Sequence, residues 1–312
     1  MEITYFGREH IDAAAAIARG ELDAERRFLP CLPLADIPDL DGLAGNALGF
    51  AALDGGKLIG YLCGFEVGNI FGSGITGIWS PLHASGVIRD DGIDRGMVFA
   101  RLYQAAAEKW VGIGARHHSV TLFAHDSERI GVLFDFGFGK RCVDAMTEIG
   151  NGRGSDTTYP QVCGSGVLRE LFGDETCAVS ALRQGLAEHL VKSPCFMNPM
   201  PEEWYDVSKR GGSRYFVYEE CGVAKAFLEV GGEGENYLSA AEGGANIRGA
   251  YCFPELRGGG VMRSFIGYVF RALRAEGIIR VGVDYESINP CARGFWPKYF
   301  APYTFGLVRR ID

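Results

Sequence analysis

NIRGAYCFPELRGGGVMRSFIGYVFRALRAEGIIRVGVDYESINPCARGFWPKYF, residues 246–300, is the stretch on which the reading of this chain turns. Its spacing predicts a short strand, a turn, an amphipathic helix, a second strand and a final short helix. Val261, Phe265, Ile266, Val269, Phe270 and Leu273 fall on one apolar stripe at helical spacing, and Gly277 is the stop signal. Gly258, Gly259 and Gly260 stand directly before that helix. Bare backbone amides at a helix N-terminus converge on an anion, and the helix dipole favours negative charge there. A Walker loop needs Lys-Ser/Thr after its last glycine, and a dinucleotide fingerprint needs a third glycine at G-x-G-x-x-G spacing. Neither is present, which leaves an anion site made of main chain.

Working outward, the same order of elements occurs twice. Hairpin signals lie at Asp54-Gly55-Gly56 and at Glu220-Cys221-Gly222. Each is followed by a strand ending in an aromatic and a proline, Ile78-Trp79-Ser80-Pro81 and Tyr251-Cys252-Phe253-Pro254. A helix, a strand (Ser119–Phe123, Ile279–Val283), a short helix opened by Asp126 or Asn289, and a closing strand complete each copy. Pro290 at the first helical position strengthens the second of these caps. The expected fold is α/β (α+β), two tandem domains, each a mixed, mainly antiparallel sheet flanked by helices. The expected boundaries are 1–149, a glycine-rich linker at 150–166, and 167–312. The copies differ before the long helix. The first half has HASGVIRDDGIDRG where the glycines would be, and Asp90, Asp91 and Asp94 would repel a phosphate.

Arg257-Gly258-Gly259-Gly260-Val261-Met262 resembles the signature [QR]-x-x-G-x-[GA] of the GNAT superfamily of N-acetyltransferases, with Met262 in place of the last small residue. Pro254 to Arg257 resembles the family's approach to that loop, and Asn289-Pro290-Cys291-Ala292 its N-x-x-A opening of the final helix. The whole chain looks like a tandem member, with the second copy armed and the first degenerate. The resemblance implies acetyl-coenzyme A as cosubstrate, its pyrophosphate on the amides of Arg257–Met262 and its pantetheine arm paired along Cys252 and Phe253. It also implies that Asn289 touches the cofactor, besides serving as a helix cap. The reaction implied is attack of a neutral amine on the thioester.

The family commonly has a tyrosine in the final helix to serve the departing thiolate, and that position here is Trp296. An indole N–H donates a hydrogen bond but is no acid near neutral pH. Tyr299 and Tyr303 are the candidates to replace it, with packing as the other role open to each. Asp284 and Glu286, on one face of the second strand, are the carboxylates available, and Glu286 is the candidate base. Cys252 and Cys291 lie inside the motif, either as reactive thiols or as small buried hydrophobes.

Composition bounds the rest. A net charge of −8 argues against non-specific nucleic-acid binding and permits a cationic substrate. No apolar run of about 18 residues marks a membrane span. The six histidines recur with no acidic or thiol partner at metal-ligand spacing, so no metal is expected. Nine scattered cysteines without C-x-x-C spacing, and charges at Glu2, Arg8, Glu9 and Asp12 where a leader would be apolar, point to the cytoplasm. The acceptor, a small-molecule or peptide amine, has no portable signature, and the oligomeric state is open. A non-catalytic acyl-coenzyme A sensor is the other reading, which Trp296 favours.

Overall fold

The computed structural model describes residues 1–149, 166–204, 206–207 and 211–312. The first half runs β1 (Glu2–Tyr5), α1 (Ile11–Phe28), α2 (Asp41–Ala44), β2 (Phe50–Asp54), β3 (Lys57–Leu62), β4 (Phe65–Val67), β5 (Gly77–Ser80), β6 (Ser85–Val87), α3 (Arg95–Gly112), β7 (His117–Phe123), α4 (Ser127–Asp135) and β8 (Gly139–Glu148). The second runs β9 (Val167–Leu171), α5 (Ser180–Val191), β10 (Arg214–Glu220), β11 (Val223–Gly231), β12 (Gly244–Cys252), α6 (Val261–Ala275), β13 (Arg280–Glu286), α7 (Pro290–Phe295) and β14 (Ala301–Arg310). None of the described helices is long and apolar enough to cross a membrane.

Two compact units emerge, and they do not follow the chain halves. One is Met1–Val143 with Pro302–Asp312, and the other is Asp144–Ala301. Thus β14, the last strand of the second half, completes the first unit. It pairs antiparallel with β7 from Thr304↔Phe123 to Arg310↔His117. The end of β8, Asp144–Glu148, belongs to the second unit, beside β13. The linker expected at 150–166 lies outside the described residues except for Gly166.

In the first unit β1, β2, β3 and β6 form an antiparallel sheet, and β4, β5, β7 and β14 follow one another in a second run. The β5–β7 pair is parallel, bridged by α3. Its apolar stripe, Val98, Phe99, Leu102, Ala106 and Trp110, packs with Ile78, Val120, Leu122, Leu133 and Leu307. The Asp54-Gly55-Gly56 turn joins β2 and β3 with both glycines at positive φ, where glycine carries no Cβ penalty.

In the second unit β9, β10, β11 and β12 are antiparallel, and β12 pairs parallel with β13 across α6. Phe265, Ile266, Val269, Phe270 and Leu273 of α6 are all buried, as the stripe requires. A further cluster joins Leu171, Val179, Leu182, Tyr215, Val217 and Phe227. Each unit is therefore built of mixed, mainly antiparallel strands with helices against them and one parallel strand–helix–strand crossover, the expected fold class, though the first unit divides its strands between two sheets.

Candidate functional site

The parallel ladder between β12 and β13 is short. It runs from Gly244↔Arg280 to Ile247↔Val283 and stops, although β12 continues to Cys252 and β13 to Glu286. Beyond that rung the two strands part. A register shift on β12 opposite Glu229 and Val230 leaves Arg248 unmatched, and such a bulge bends a strand and re-aims the residues after it. The Phe253 N–H donates to the Lys225 carbonyl at 3.2 Å, so the residues of β12 alternate about that bond. Phe253 and Tyr251 turn their peptide groups to β11, and Cys252 and Ala250 turn theirs into the gap. Of the pair expected to line a ligand, Cys252 therefore keeps its amide on the gap side, and Phe253 spends its own on β11.

At the mouth of the gap, a 3-10 turn (Pro254–Leu256) leads into the glycines. Gly258 and Gly260 have φ of +79° and +84°, which only glycine adopts without strain. Gly260 caps α6 with no side-chain hydrogen bond, and the first turn has no acidic residue. The first intrahelical bond runs from the Ser264 N–H to the Gly260 carbonyl at 3.1 Å, so the amides of Val261, Met262 and Arg263 have no partner within the helix. Gly259 is informative in another way. Its φ is ordinary, and among the described residues a Cβ there would meet only the Leu256 carbonyl oxygen, at 3.5 Å. None of the described residues demands glycine at 259. The Arg257 side chain does not reach outward: its Nε donates to the Cys252 carbonyl at 3.1 Å, and the guanidinium lies 5.4 Å from the centroid of the Tyr251 ring. Val261 is buried and Met262 half-buried.

The matching place in the first unit is filled by the protein itself. Asp94 caps α3 and accepts from the Met97 N–H at 2.8 Å, putting a carboxylate where an anion would sit. The Val87 N–H on β6 donates to Glu21 Oε1 at 3.2 Å. Glu21 also receives Arg95 at 2.7 Å and Arg89 at 2.7 Å, and Arg95 and Arg129 both bind Asp126. Burial would raise the Asp126 carboxyl, but Arg129 and Arg95 outweigh it and hold it below the usual carboxylate range. Sequence reading found the three aspartates but not this network, whose members lie far apart in the chain.

In the second unit, Asn246 pairs with Gly231 on one side and Gly282 on the other, and Glu229 on the Gly231 face forms a buried ion pair with Arg183 of α5. Alternation then puts Asp284 and Glu286 on the α5 face of β13. Burial pushes the Asp284 carboxyl well above its ordinary range, and Glu235 and Asp144 push it further. Asp144 in turn accepts from Asn236 Nδ2 at 2.8 Å. Asn289 caps α7 as expected, its Oδ1 accepting from the Cys291 and Ala292 amides at 3.1 and 3.5 Å, and the same oxygen lies 3.3 Å from His189 Nε2.

Trp296 is buried and packs against Phe295 and Phe300, with ring centroids 5.1 and 5.6 Å apart. Tyr299 is half-buried; burial raises its hydroxyl, with Arg263 opposing. Tyr303 is buried in β14, within the first unit, and so is not in the unit that carries the loop. Burial pushes the Cys252 thiol up to about 11, which makes it a poor nucleophile, and Cys291 is exposed. Sequence reasoning passed over His189, Asp144, Glu235 and Tyr251. Periodicity marks none of them, since each comes from a different element.

No protein-family model and no curated protein sequence matches the chain. Among solved structures, a GCN5-related N-acetyltransferase from Sphaerobacter thermophilus has a TM-score of 0.59 at 12% identity, covering 100% of this chain and 96% of its own. The GCN5-related glucosamine N-acetyltransferase region of a fungal multi-domain GH3 beta-N-acetylglucosaminidase has a TM-score of 0.52 at 14% identity, covering 98% of this chain and 38% of that one. A tandem GNAT protein from the clavulanic acid biosynthesis pathway has a TM-score of 0.45 at 15% identity, covering 99% and 98%. At these identities the likeness is one of fold. The chain has the fold of the GCN5-related N-acetyltransferases.

Proposed function

We propose that the protein is an N-acetyltransferase that uses acetyl-coenzyme A, with its reaction in the second unit. The observation that carries this reading is the parting of β12 and β13 after Ile247↔Val283, with an uncapped, glycine-led helix at its mouth. A strand edge with amides turned into a gap suits the peptide-like pantetheine arm. The α6 amides suit its pyrophosphate, and among the described residues only the Leu256 carbonyl oxygen would meet a Cβ at Gly259, which suits a close phosphate.

The chain's own residues support direct transfer to an amine. Glu286, with Glu235 and Asp144 near Asp284, gives the site an acidic character, which draws an amine in its ammonium form. Glu286 holds that ammonium. Asp284, a carboxyl that keeps its proton above the ordinary range, is the donor proposed for the departing thiolate, the role that Trp296 cannot fill. Tyr299 is the remaining tyrosine candidate in the second unit.

The test is a melting-shift titration with coenzyme A, followed by thiol release from acetyl-coenzyme A with a panel of primary amines. Amine-dependent release is expected. A melting shift without release from any amine would instead favour the acyl-coenzyme A sensor, and no shift at all would remove the reading.

A further inference from the structure

We infer that His189, through Nδ1, takes the proton from the acceptor amine during acetyl transfer, and that Asn289 fixes the tautomer this requires. The inference rests on the acetyl-transfer reading above. Two backbone N–H groups, of Cys291 and Ala292, point at one atom of the Asn289 amide, which identifies that atom as the oxygen, because an NH2 there would meet donors with donors. His189 Nε2 lies 3.3 Å from that same oxygen. An amide oxygen only accepts, so Nε2 carries the hydrogen. In a neutral ring Nδ1 then bears the lone pair.

The position fits the task. Asn289 is buried, and its N–H donates to the Glu286 carbonyl at 3.0 Å, at the end of the strand that forms one wall of the gap. The Cys195 Sγ lies 3.8 Å from the Ile288 carbonyl, so the segment after α5 meets the same turn. His189 is thus tied to the end of β13 from the α5 face, the face that carries Asp284 and Glu286.

In the step proposed, the ammonium held by Glu286 gives its proton to Nδ1, leaving the neutral amine and an imidazolium. The amine lone pair then forms the N–C bond, and the C–S bond breaks with its electron pair going to sulfur. The thiolate takes a proton from Asp284, and the second proton shed by the nitrogen as the amide forms returns to Asp284 by way of solvent. The imidazolium returns its proton to solvent. Other titratable and charged groups on the elements that meet there are Asp284 and Glu286 on β13, Lys192 and Cys195 after α5, and Cys291 and Arg293 on α7. Arg183 and Glu188 lie on α5 itself, Arg280 and Tyr285 on β13, and Arg248 and Tyr251 on β12.

A merely structural histidine would be replaced well by glutamine, which can still donate to Asn289. The experiment therefore uses His189→Gln in the full chain. With 15N-labelled histidine at neutral pH, NMR of the wild type is expected to find Nε2 protonated and Nδ1 bare. With acetyl-coenzyme A and a panel of spermidine, an aminoglycoside and a lysine-containing peptide, His189→Gln should lower kcat by about 100-fold. It should also erase the acid limb of the pH profile, while the melting shift with coenzyme A stays. An Nδ1-protonated tautomer, a kcat within about twofold of wild type, or an acid limb that disappears in Glu286→Gln instead would each overturn the inference. A wild type that binds coenzyme A but acetylates no amine of the panel would overturn it too, with the cosubstrate site left standing. A wild type that binds no coenzyme A removes the underlying reading.

Discussion

Ile247 and Val283 are partners in the last rung of the ladder between β12 and β13, and no strand pairing joins the two beyond them. In the first unit, the N–H of Val87 on β6 is met by the buried carboxylate of Glu21. One strand edge has no strand partner past that rung, and at the other a backbone N–H is satisfied from within. The proposal that the second unit carries the reaction rests on this difference as much as on the glycines.

Gly259→Val separates binding from folding. The φ at 259 is ordinary and, among the described residues, a Cβ would touch only the Leu256 carbonyl oxygen at 3.5 Å, so stability should change by no more than about 0.5 kcal/mol. The melting shift with coenzyme A should vanish, because the new side chain takes the phosphate's place. Gly258→Val is expected to lose stability as well, by about 1–2 kcal/mol, since its φ of +79° strains any residue with a Cβ. Urea denaturation alongside the ligand titration checks both. A full melting shift in Gly259→Val would move the anion site elsewhere.

Asp126→Ala should destabilise the protein by about 3–5 kcal/mol, because it leaves Arg95 and Arg129 as buried charges with one fewer partner. Coenzyme A binding by the refolded variant should be unchanged. The sign with pH comes from the depressed carboxyl. Its contribution is present above the unfolded value near 4 and is lost as pH falls through the lower folded value. The gap between wild type and variant should therefore narrow on acidification, as read by denaturation at a series of pH values.

Much of this architecture was legible in the sequence because it is local. The α6 stripe, the turn at Gly55-Gly56 and the Asn289-Pro290 cap each depend on residues a few positions apart. The closing strand was legible as a strand, but Ala301–Arg310 has the same alternation whichever sheet it joins, so its place beside β7 was not. Asp284 was seen as a strand-end carboxylate. Its raised carboxyl comes first from burial and then from Glu235 and Asp144, which other elements bring near, and no spacing in the chain records that. Which of Cys252 and Phe253 turns its amide away from β11 was not legible either, because strand alternation is fixed by the Phe253–Lys225 bond.

Trp296→Phe should leave kcat nearly unchanged. The indole is packed between Phe295 and Phe300, so the smaller ring loosens an aromatic cluster and removes no acid. A stability loss of about 1–2 kcal/mol and a modest rise in KM for acetyl-coenzyme A are expected. A kcat loss of about 100-fold with unchanged KM would instead give the indole a part in the chemistry.

Asp284→Asn tests the electrostatics of the site through stability. A carboxyl whose folded value is raised is more costly to ionise in the folded chain, so its contribution is complete below the unfolded value near 4 and is lost as pH rises through the folded one. The amide does not titrate. Relative to wild type, the variant should therefore gain stability steadily from pH 4 upward, by roughly 2–4 °C in Tm for each kcal/mol relieved. Turnover should fall, because the amide is no acid for the thiolate. Parallel melting curves from pH 4 to 8 decide the first point. Two proteins whose Tm difference does not change with pH would mean that Asp284 ionises as freely in the folded chain as in the unfolded one. Its place as a proton donor would then be lost along with its raised carboxyl.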